Sequence, residues 1–140
     1  MICPMEQNHL LFRTPQGALA ILAGETVRLN AALPHGIPVA NYETIRVYGA
    51  IRPTSAVDVT IRIFVLQAEA DELIFRLDAF TLHPGDSDIT RTYEVPGRSL
   101  AVFATADDGI GNSFIDFGVL GFGPEPCKFE PCIKRSERTQ

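Results

Sequence analysis

The chain has 140 residues, of which 46% are hydrophobic and 21% charged, with a formal net charge of −5 at pH 7. That length supports one domain with a single core, and no apolar run approaches the roughly 20 residues needed to span a bilayer. An acidic chain repels phosphate backbones, so nucleic acid is not expected as a partner. Because no spanning apolar run is present, no membrane is expected as a partner either.

Short apolar segments separated by turn residues run through most of the chain. In several of them apolar residues recur at every second position, as in a strand with one buried face. The pattern is clearest where five β-branched residues fall on one side of a single segment: Val57, Val59, Ile61, Ile63 and Val65. In chain order, the predicted strands cover residues 9–13, 18–22, 25–33, 42–51, 57–67, 72–82, 89–95, 98–106 and 113–122.

The turns between these segments contain glycine and proline. Two prolines keep residues 34–38 out of any central strand, and the sequence His-Pro-Gly-Asp at 83–86 predicts a tight turn. Pro96-Gly97 has the spacing of a hairpin between the strands on either side. Eight or nine strands at regular spacing predict an all-β fold, an antiparallel β-sandwich resembling a jelly roll, with a closed barrel as the alternative.

The charge is unevenly distributed along the chain. Residues 1–127 carry eight arginines against fifteen acidic residues, a net charge of −7, whereas residues 128–140 have a net charge of +2. We therefore expect a single β-sandwich domain over residues 1–126 and a flexible basic tail over residues 127–140. The first residues lack the basic and apolar regions of a secretory signal, which favours an intracellular protein.

The three cysteines, Cys3, Cys127 and Cys132, lie near the chain ends. Their odd number argues against a complete disulfide framework, and no histidine lies near them in sequence to complete a zinc site. Free thiols are favoured over a terminal disulfide and over a metal site.

No motif of an enzyme or of a cofactor-binding fold is present. There is no Gly-x-Ser-x-Gly elbow, phosphate loop, dinucleotide fingerprint or paired-histidine metal motif. His9, His35 and His83 are far apart in sequence and lie beside turns, where exposed polar residues are common. The sequence therefore predicts a protein without catalytic activity and without a cofactor.

Two weak ligand sites can be named from the residue types. Asp107, Asp108 and Asn112 offer the oxygen atoms that calcium prefers, although Asp and Asn are also favoured in turns for their own backbone hydrogen bonds. Arg46 and Tyr93 are weak candidates for contacts with a ligand such as a sugar, but the chain has no tryptophan to form a stacking platform. The alternative function is carbohydrate or small-ligand binding, through loop residues near Asp107, Asp108, Asn112 and Tyr93.

Apolar side chains that alternation directs away from the core give the first choice of function. A single-domain sandwich has no second layer to cover them, and a contiguous apolar patch marks an interface. The sequence therefore predicts a module that assembles with itself or binds another protein. The predicted interface residues are Tyr48, Phe64, Leu66, Phe103, Leu120 and Phe122.

Overall fold

The computed structural model describes residues 7–14, 19–67, 72–95 and 97–123. In these ranges, ten strands form two antiparallel sheets, which confirms the predicted β-sandwich. Sheet I consists of β1 (Gln7–Arg13), β2 (Leu19–Leu22), β5 (Thr44–Ile51), β8 (Ile89–Glu94) and β10 (Asn112–Gly123). Sheet II consists of β3 (Thr26–Arg28), β4 (Ile37–Pro38), β6 (Val59–Gln67), β7 (Glu72–Leu82) and β9 (Ser99–Ala106).

Strand order differs from chain order in both sheets. Sheet I runs β1-β10-β5-β8, with β2 also paired to β10, and sheet II runs β3-β9-β6-β7, with β4 also paired to β9. Among the described strands, β6 and β7 are the one consecutive pair that forms a hairpin. The predicted hairpin at Pro96-Gly97 is wrong, because β8 pairs with β5 while β9 pairs with β6. A turn dipeptide sets a local reversal of the chain, but it does not decide which sheet the next strand joins.

The core lies between the sheets and is built by the alternation seen in the sequence. The inward residues of β6 and β9 are almost fully buried, and so are those of β5 and β10. Phe117, in the middle of β10, is the largest of the fully buried side chains. Gly49 lies opposite Phe117 on β5, and a Cβ atom at Gly49 would lie 3.3 Å from both Phe80 and Leu82 of sheet II.

Strand β7 forms one edge of sheet II and is irregular. Its pairing with β6 slips twice, leaving Leu77 and Ile74 without a directly opposed partner, as in β-bulges. The first five residues of the strand, 72–76, are all exposed, whereas Phe80 and Leu82 near its other end are buried. We call residues 72–76 the β7 tip.

The segment that follows β3 packs against sheet II. Asn30 is fully buried, accepts a hydrogen bond from the Val102 backbone N–H on Oδ1 and donates one from Nδ2 to the Leu33 carbonyl, both at 3.0 Å. Gly36 has a φ of 92°, and a Cβ atom there would lie 2.8 Å from Leu66 and from Ser99. Glycine is therefore required where this segment covers Leu66.

Candidate interaction surfaces

The outer face of sheet I carries aromatic rings that pack against groups of the same sheet. A Cβ atom at Gly118 would lie 2.3 Å from the ring of Tyr48, so this ring occupies the space above the glycine. The guanidinium of Arg46 lies 4.9 Å from the centre of the Phe122 ring, and that of Arg52 lies 5.8 Å from the Phe114 ring. These cation–π contacts leave the rings half-buried within the monomer.

The outer face of sheet II has a smaller aromatic pair. Phe64 and Phe103 pack edge to face with ring centres 5.7 Å apart, and Arg28 lies 5.8 Å from the Phe103 ring. Leu66 follows Phe64 on β6 but is only 1% exposed, because the chain at Gly36 lies directly against it.

The six predicted interface residues therefore do not share one surface. Three of them, Tyr48, Leu120 and Phe122, belong to sheet I, and Phe64 and Phe103 belong to the opposite side of the sandwich. Leu66 is buried, so its predicted place on an open surface is wrong. Alternation separates residues that face the core from those that face away, but it does not say which sheet a strand joins or which loop covers it. An interface role for the five remaining residues stays a prediction.

The predicted calcium ligands lie in the connection between β9 and β10 and at the start of β10. The Asp107 backbone N–H donates to the Asp58 carbonyl at 3.0 Å, and its carbonyl accepts from the Gly24 N–H at 2.9 Å, as expected of a turn residue. Over the described ranges, no three His, Cys, Asp or Glu side chains form a group that could hold a metal ion. Calcium binding by Asp107, Asp108 and Asn112 therefore stays a prediction.

Arg46 and Tyr93 lie on opposite faces of sheet I. Arg46 donates through Nε to the Thr92 hydroxyl at 3.2 Å on the outer face, whereas Tyr93 is opposite Ile45 and points inward. The proposed link between Tyr93 and the loop at Asn112 also fails, since nine positions along β10 separate the partner of Ile45 from Asn112, about 30 Å. The structure therefore does not bring Tyr93 together with Arg46 or with the loop at Asn112, and a ligand role for either residue stays a prediction.

A polar cluster joins the two sheets where β7 and β8 form neighbouring edges. Tyr93 donates a hydrogen bond through Oη to Asp78 Oδ2, and Arg91 donates to the same oxygen at 3.0 Å. The Ala79 backbone N–H donates to Asp78 Oδ1 at 2.7 Å. Burial alone would raise the pKa of Asp78, but these hydrogen bonds and the charge of Arg91 outweigh it and hold the pKa below its ordinary value of 3.8. Burial, together with the bond to Asp78, raises the pKa of Tyr93.

In the variant Asp78→Asn, the free energy of unfolding should depend less on pH in the acid range. Because the folded-state pKa of Asp78 is depressed, its charge stabilises the fold above pH 3.8 and this contribution is lost as pH falls through the folded-state pKa. We expect the variant to be less stable than wild type by about 2 kcal/mol at pH 7. Urea unfolding at pH 7, 5 and 3 should show this difference shrinking as the pH falls. A difference that is equal at all three pH values would contradict the assignment.

The β7 tip is the most exposed apolar feature of a sheet edge in the described chain. Leu73, Ile74 and Phe75 are 43%, 58% and 48% exposed, and among the described strands β7 pairs only with β6. Ile74 and Phe75 also line a groove of about 650 Å³, and His35, Pro38 and Arg98 are among its other lining residues. The prediction of interface residues missed the tip, although three apolar residues in succession cannot all face the core of an alternating strand.

The three histidines are not brought together. His83 Nδ1 lies 2.8 Å from Asp58 Oδ2, the ring centre of His9 lies 5.7 Å from that of Tyr42, and His35 lines the groove.

Cys3, Cys127, Cys132 and the boundary between domain and tail lie outside the described residues. In the described part of the chain, no helix has the length and hydropathy needed to span a bilayer.

Comparisons with known proteins place the fold but not the family. No family model and no curated protein sequence matches the chain. Among solved structures, a Bacillus endospore appendage protein, from appendages that form disulfide-linked pili, has a TM-score of 0.50 at 9% identity over 90% of this chain and 96% of that chain. A family 29 carbohydrate binding module has a TM-score of 0.43 at 16% identity over 84% and 88% of the two chains. The Tobacco streak virus coat protein has a TM-score of 0.42 at 9% identity over 91% and 93%. At 9% identity, the similarity to the appendage protein shows a shared fold and no more.

Proposed function

We propose that this protein is a non-catalytic module that acts by associating with further copies of itself through the β7 tip. One observation carries the proposal: three consecutive apolar side chains, Leu73, Ile74 and Phe75, are exposed on a sheet edge. An exposed apolar edge strand is a template for pairing with another strand, and natural proteins normally protect such edges with charge or a covering segment. Here a charged residue stands at each end of the tip, Glu72 and Arg76, and the three residues between them are apolar.

The outer faces of the two sheets support this choice by contrast. Their aromatic rings are already packed, since Phe122 and Phe114 lie beside arginine side chains, Tyr48 covers Gly118, and Phe64 packs on Phe103. Among the residues that the structure describes, none covers the β7 tip in this way, so burying the tip in a contact removes more apolar area from water per residue. The pilus protein uses a sandwich of similar fold in an assembly. A shared fold does not by itself assign a function.

The proposal predicts a concentration-dependent mass for the wild-type protein. In sedimentation velocity with reductant present, the average mass should rise from 15.3 kDa toward at least twice that value as concentration increases. The double variant Ile74→Asp/Phe75→Asp places two charges where apolar contact is needed, so it should remain at 15.3 kDa and weaken association at least tenfold.

Leu22→Asp is the matched control. Leu22 is 57% exposed, nearly the same as Ile74, but it lies on β2 of sheet I. It should associate like wild type, and circular dichroism should show all variants folded. A wild-type protein that is monomeric at every concentration would overturn the proposal. Equal association of wild type and the double variant would place the contact elsewhere and would also overturn it.

The groove beside the tip favours a second candidate function, binding of a small ligand or carbohydrate. Its volume of about 650 Å³ lies within the usual range for ligand sites, and its lining combines Phe75 and Pro38 with polar groups such as Arg98 and Asn41. A ligand held there would cover Ile74 and Phe75. Under this second function, soluble oligosaccharides should bind the monomer and lower any concentration-dependent rise of the mass in sedimentation.

A further inference from the structure

The outer face of sheet II has an open part beyond the part that the segment at Gly36 covers. Leu66 and Ser99 are buried under that segment, whereas the outward residues nearer the other end of the sheet are half-buried or exposed. Two neighbouring rows of these residues cross the sheet, and we call them the threonine row and the arginine row. The threonine row consists of Thr26, Thr105, Thr60 and Thr81. The arginine row consists of Arg28, Phe103, Arg62 and Ala79.

Every charged strand residue that the structure describes on this face is an arginine. Arg28 and Arg62 belong to the arginine row, and Arg76 lies opposite Phe64 in the next row. The acid that precedes β6, Asp58, lies beyond the threonine row. The chain as a whole has a net charge of −5, so the sign of this face is opposite to that of the chain. Such a face attracts an anionic partner.

Contacts within the monomer hold the two arginines of the arginine row in place. The Arg28 guanidinium lies 5.8 Å from the centre of the Phe103 ring and donates through Nη2 to the Pro34 carbonyl at 3.2 Å. Arg62 donates through Nη1 to the Thr105 hydroxyl at 3.2 Å. A guanidinium that is already positioned loses less side-chain entropy on binding, and its planar fork suits the two oxygens of a carboxylate.

The spacing of these charges indicates the kind of anion. Arg28 and Arg62 are two strands apart, with Phe103 between them, which places their backbones about 10 Å from each other. Because the two guanidinium groups are bonded to different neighbours, they present separate charges. Anionic groups spaced along a chain match this arrangement better than one small anion does. Double-stranded DNA carries one charge per about 1.7 Å of its axis and needs a denser set of cations.

The threonine row supplies uncharged hydrogen-bonding groups beside the charges. The hydroxyl oxygens of Thr26 and Thr105 lie 2.9 Å apart, and those of Thr60 and Thr81 lie 3.0 Å apart. One hydroxyl of each pair donates to the other, which leaves an O–H donor and further acceptor lone pairs in each pair. Since the row crosses four strands, these groups extend over about 14 Å. Sugar hydroxyls both donate and accept hydrogen bonds, so they complement such a row.

We propose that the open part of the outer face of sheet II binds an acidic polysaccharide, a chain of sugars with carboxylate groups at intervals. The carboxylates accept charge-assisted hydrogen bonds from Arg28 and Arg62, and the sugar hydroxyls bind the threonine row. The rings of Phe64 and Phe103 are already packed within the monomer, so charge and hydrogen bonding hold the ligand. Neither row includes a residue of the β7 tip or of the groove, so this binding does not depend on the function proposed above.

Titration calorimetry of the full chain with polygalacturonate oligosaccharides, with reductant present, tests the proposal. Wild type should bind, and the affinity should fall as salt is added because the charges are accessible to solvent. Arg62→Gln removes one of the two charges and should weaken binding about tenfold. Arg46→Gln is the matched control and should bind like wild type. Arg46 also lies beside a ring and donates to a threonine, but on the outer face of sheet I.

A second variant tests the hydroxyl groups separately from the charges. Thr60→Val removes one hydroxyl of the threonine row and should weaken binding of polygalacturonate about threefold. It should leave unchanged any binding of polyglutamate, which carries carboxylates without sugar hydroxyls. Dextran, a neutral polysaccharide, should not bind. Circular dichroism establishes that each variant is folded, and Arg28→Gln, on the edge strand β3, carries the same expectation as Arg62→Gln if the latter does not fold.

Three results would overturn the proposal. The first is a wild-type protein that does not bind polygalacturonate. The second is equal binding by Arg46→Gln and the folded variants at Arg62 or Arg28, which would place the ligand elsewhere. The third is tighter binding of polyglutamate or single-stranded DNA than of polygalacturonate, which would assign the face to another class of polyanion.

Discussion

Phe117→Ala is expected to lower the free energy of unfolding by about 4 kcal/mol, the largest loss from any single core truncation in this protein. The side chain is fully buried at the centre of β10, between the two sheets. It lies opposite Gly49, which has no side chain, and its ring centre is 6.5 Å from that of Phe12. Neither neighbour can expand to fill the space that alanine would leave, so the cavity persists. Urea unfolding monitored by circular dichroism measures the change.

Phe114→Ala is the matched control for that experiment. Phe114 lies on the same strand but on its outer face, half-buried beside Arg52. Its loss removes one cation–π contact and a modest apolar area, so we expect a decrease of about 1 kcal/mol. Similar losses at Phe117 and Phe114 would contradict the assignment of inner and outer faces on β10.

Asn30→Ala is expected to destabilise the protein by about 3 kcal/mol. The Asn30 side chain is fully buried and hydrogen-bonds the backbone N–H of Val102 and the backbone carbonyl of Leu33. Alanine would leave both backbone groups without that partner, and an unsatisfied buried polar group costs about 1–3 kcal/mol. Thermal and urea unfolding both measure the loss.

Asn41→Ala is the control variant, since Asn41 is exposed at the groove and its loss should change the free energy of unfolding by less than about 0.5 kcal/mol.

A second measurement follows from the position of Asn30 at the start of the segment that covers Leu66. Hydrogen exchange at Gly36 should become faster in Asn30→Ala and remain unchanged in Asn41→Ala. If exchange at Gly36 is the same in both, Asn30 does not hold that segment against the sheet.

The core was predictable from the sequence because alternation depends on the strand itself. Val59, Ile61 and Ile63 are inward on β6 as their spacing indicates, and Ile115 and Phe117 are inward on β10. These positions follow from the two-residue period and from the preference of large apolar groups for burial, and both are local properties.

The surface was less predictable because it depends on contacts between distant parts of the chain. Leu66 is covered by the segment at Gly36, thirty positions earlier, and nothing in the strand pattern indicates that contact. Tyr48 and Phe103 look alike as outward aromatic residues, but strand order places them on opposite sides of the sandwich. The β7 tip was visible as three consecutive apolar residues, and it became a candidate site once the structure placed it on an edge.

The cluster at Asp78 divides β7 into two parts with different local stability. Residues after the cluster are anchored by Phe80 and Leu82 in the core and by the bonds from Tyr93 and Arg91. The tip before it is held to the sheet by its ladder with β6, and its side chains are exposed. Opening free energies range from near zero at frayed ends to the global value in the core. We therefore expect the backbone amides of the tip to exchange hydrogen faster than those of residues 78–82, since local opening there does not require the domain to unfold.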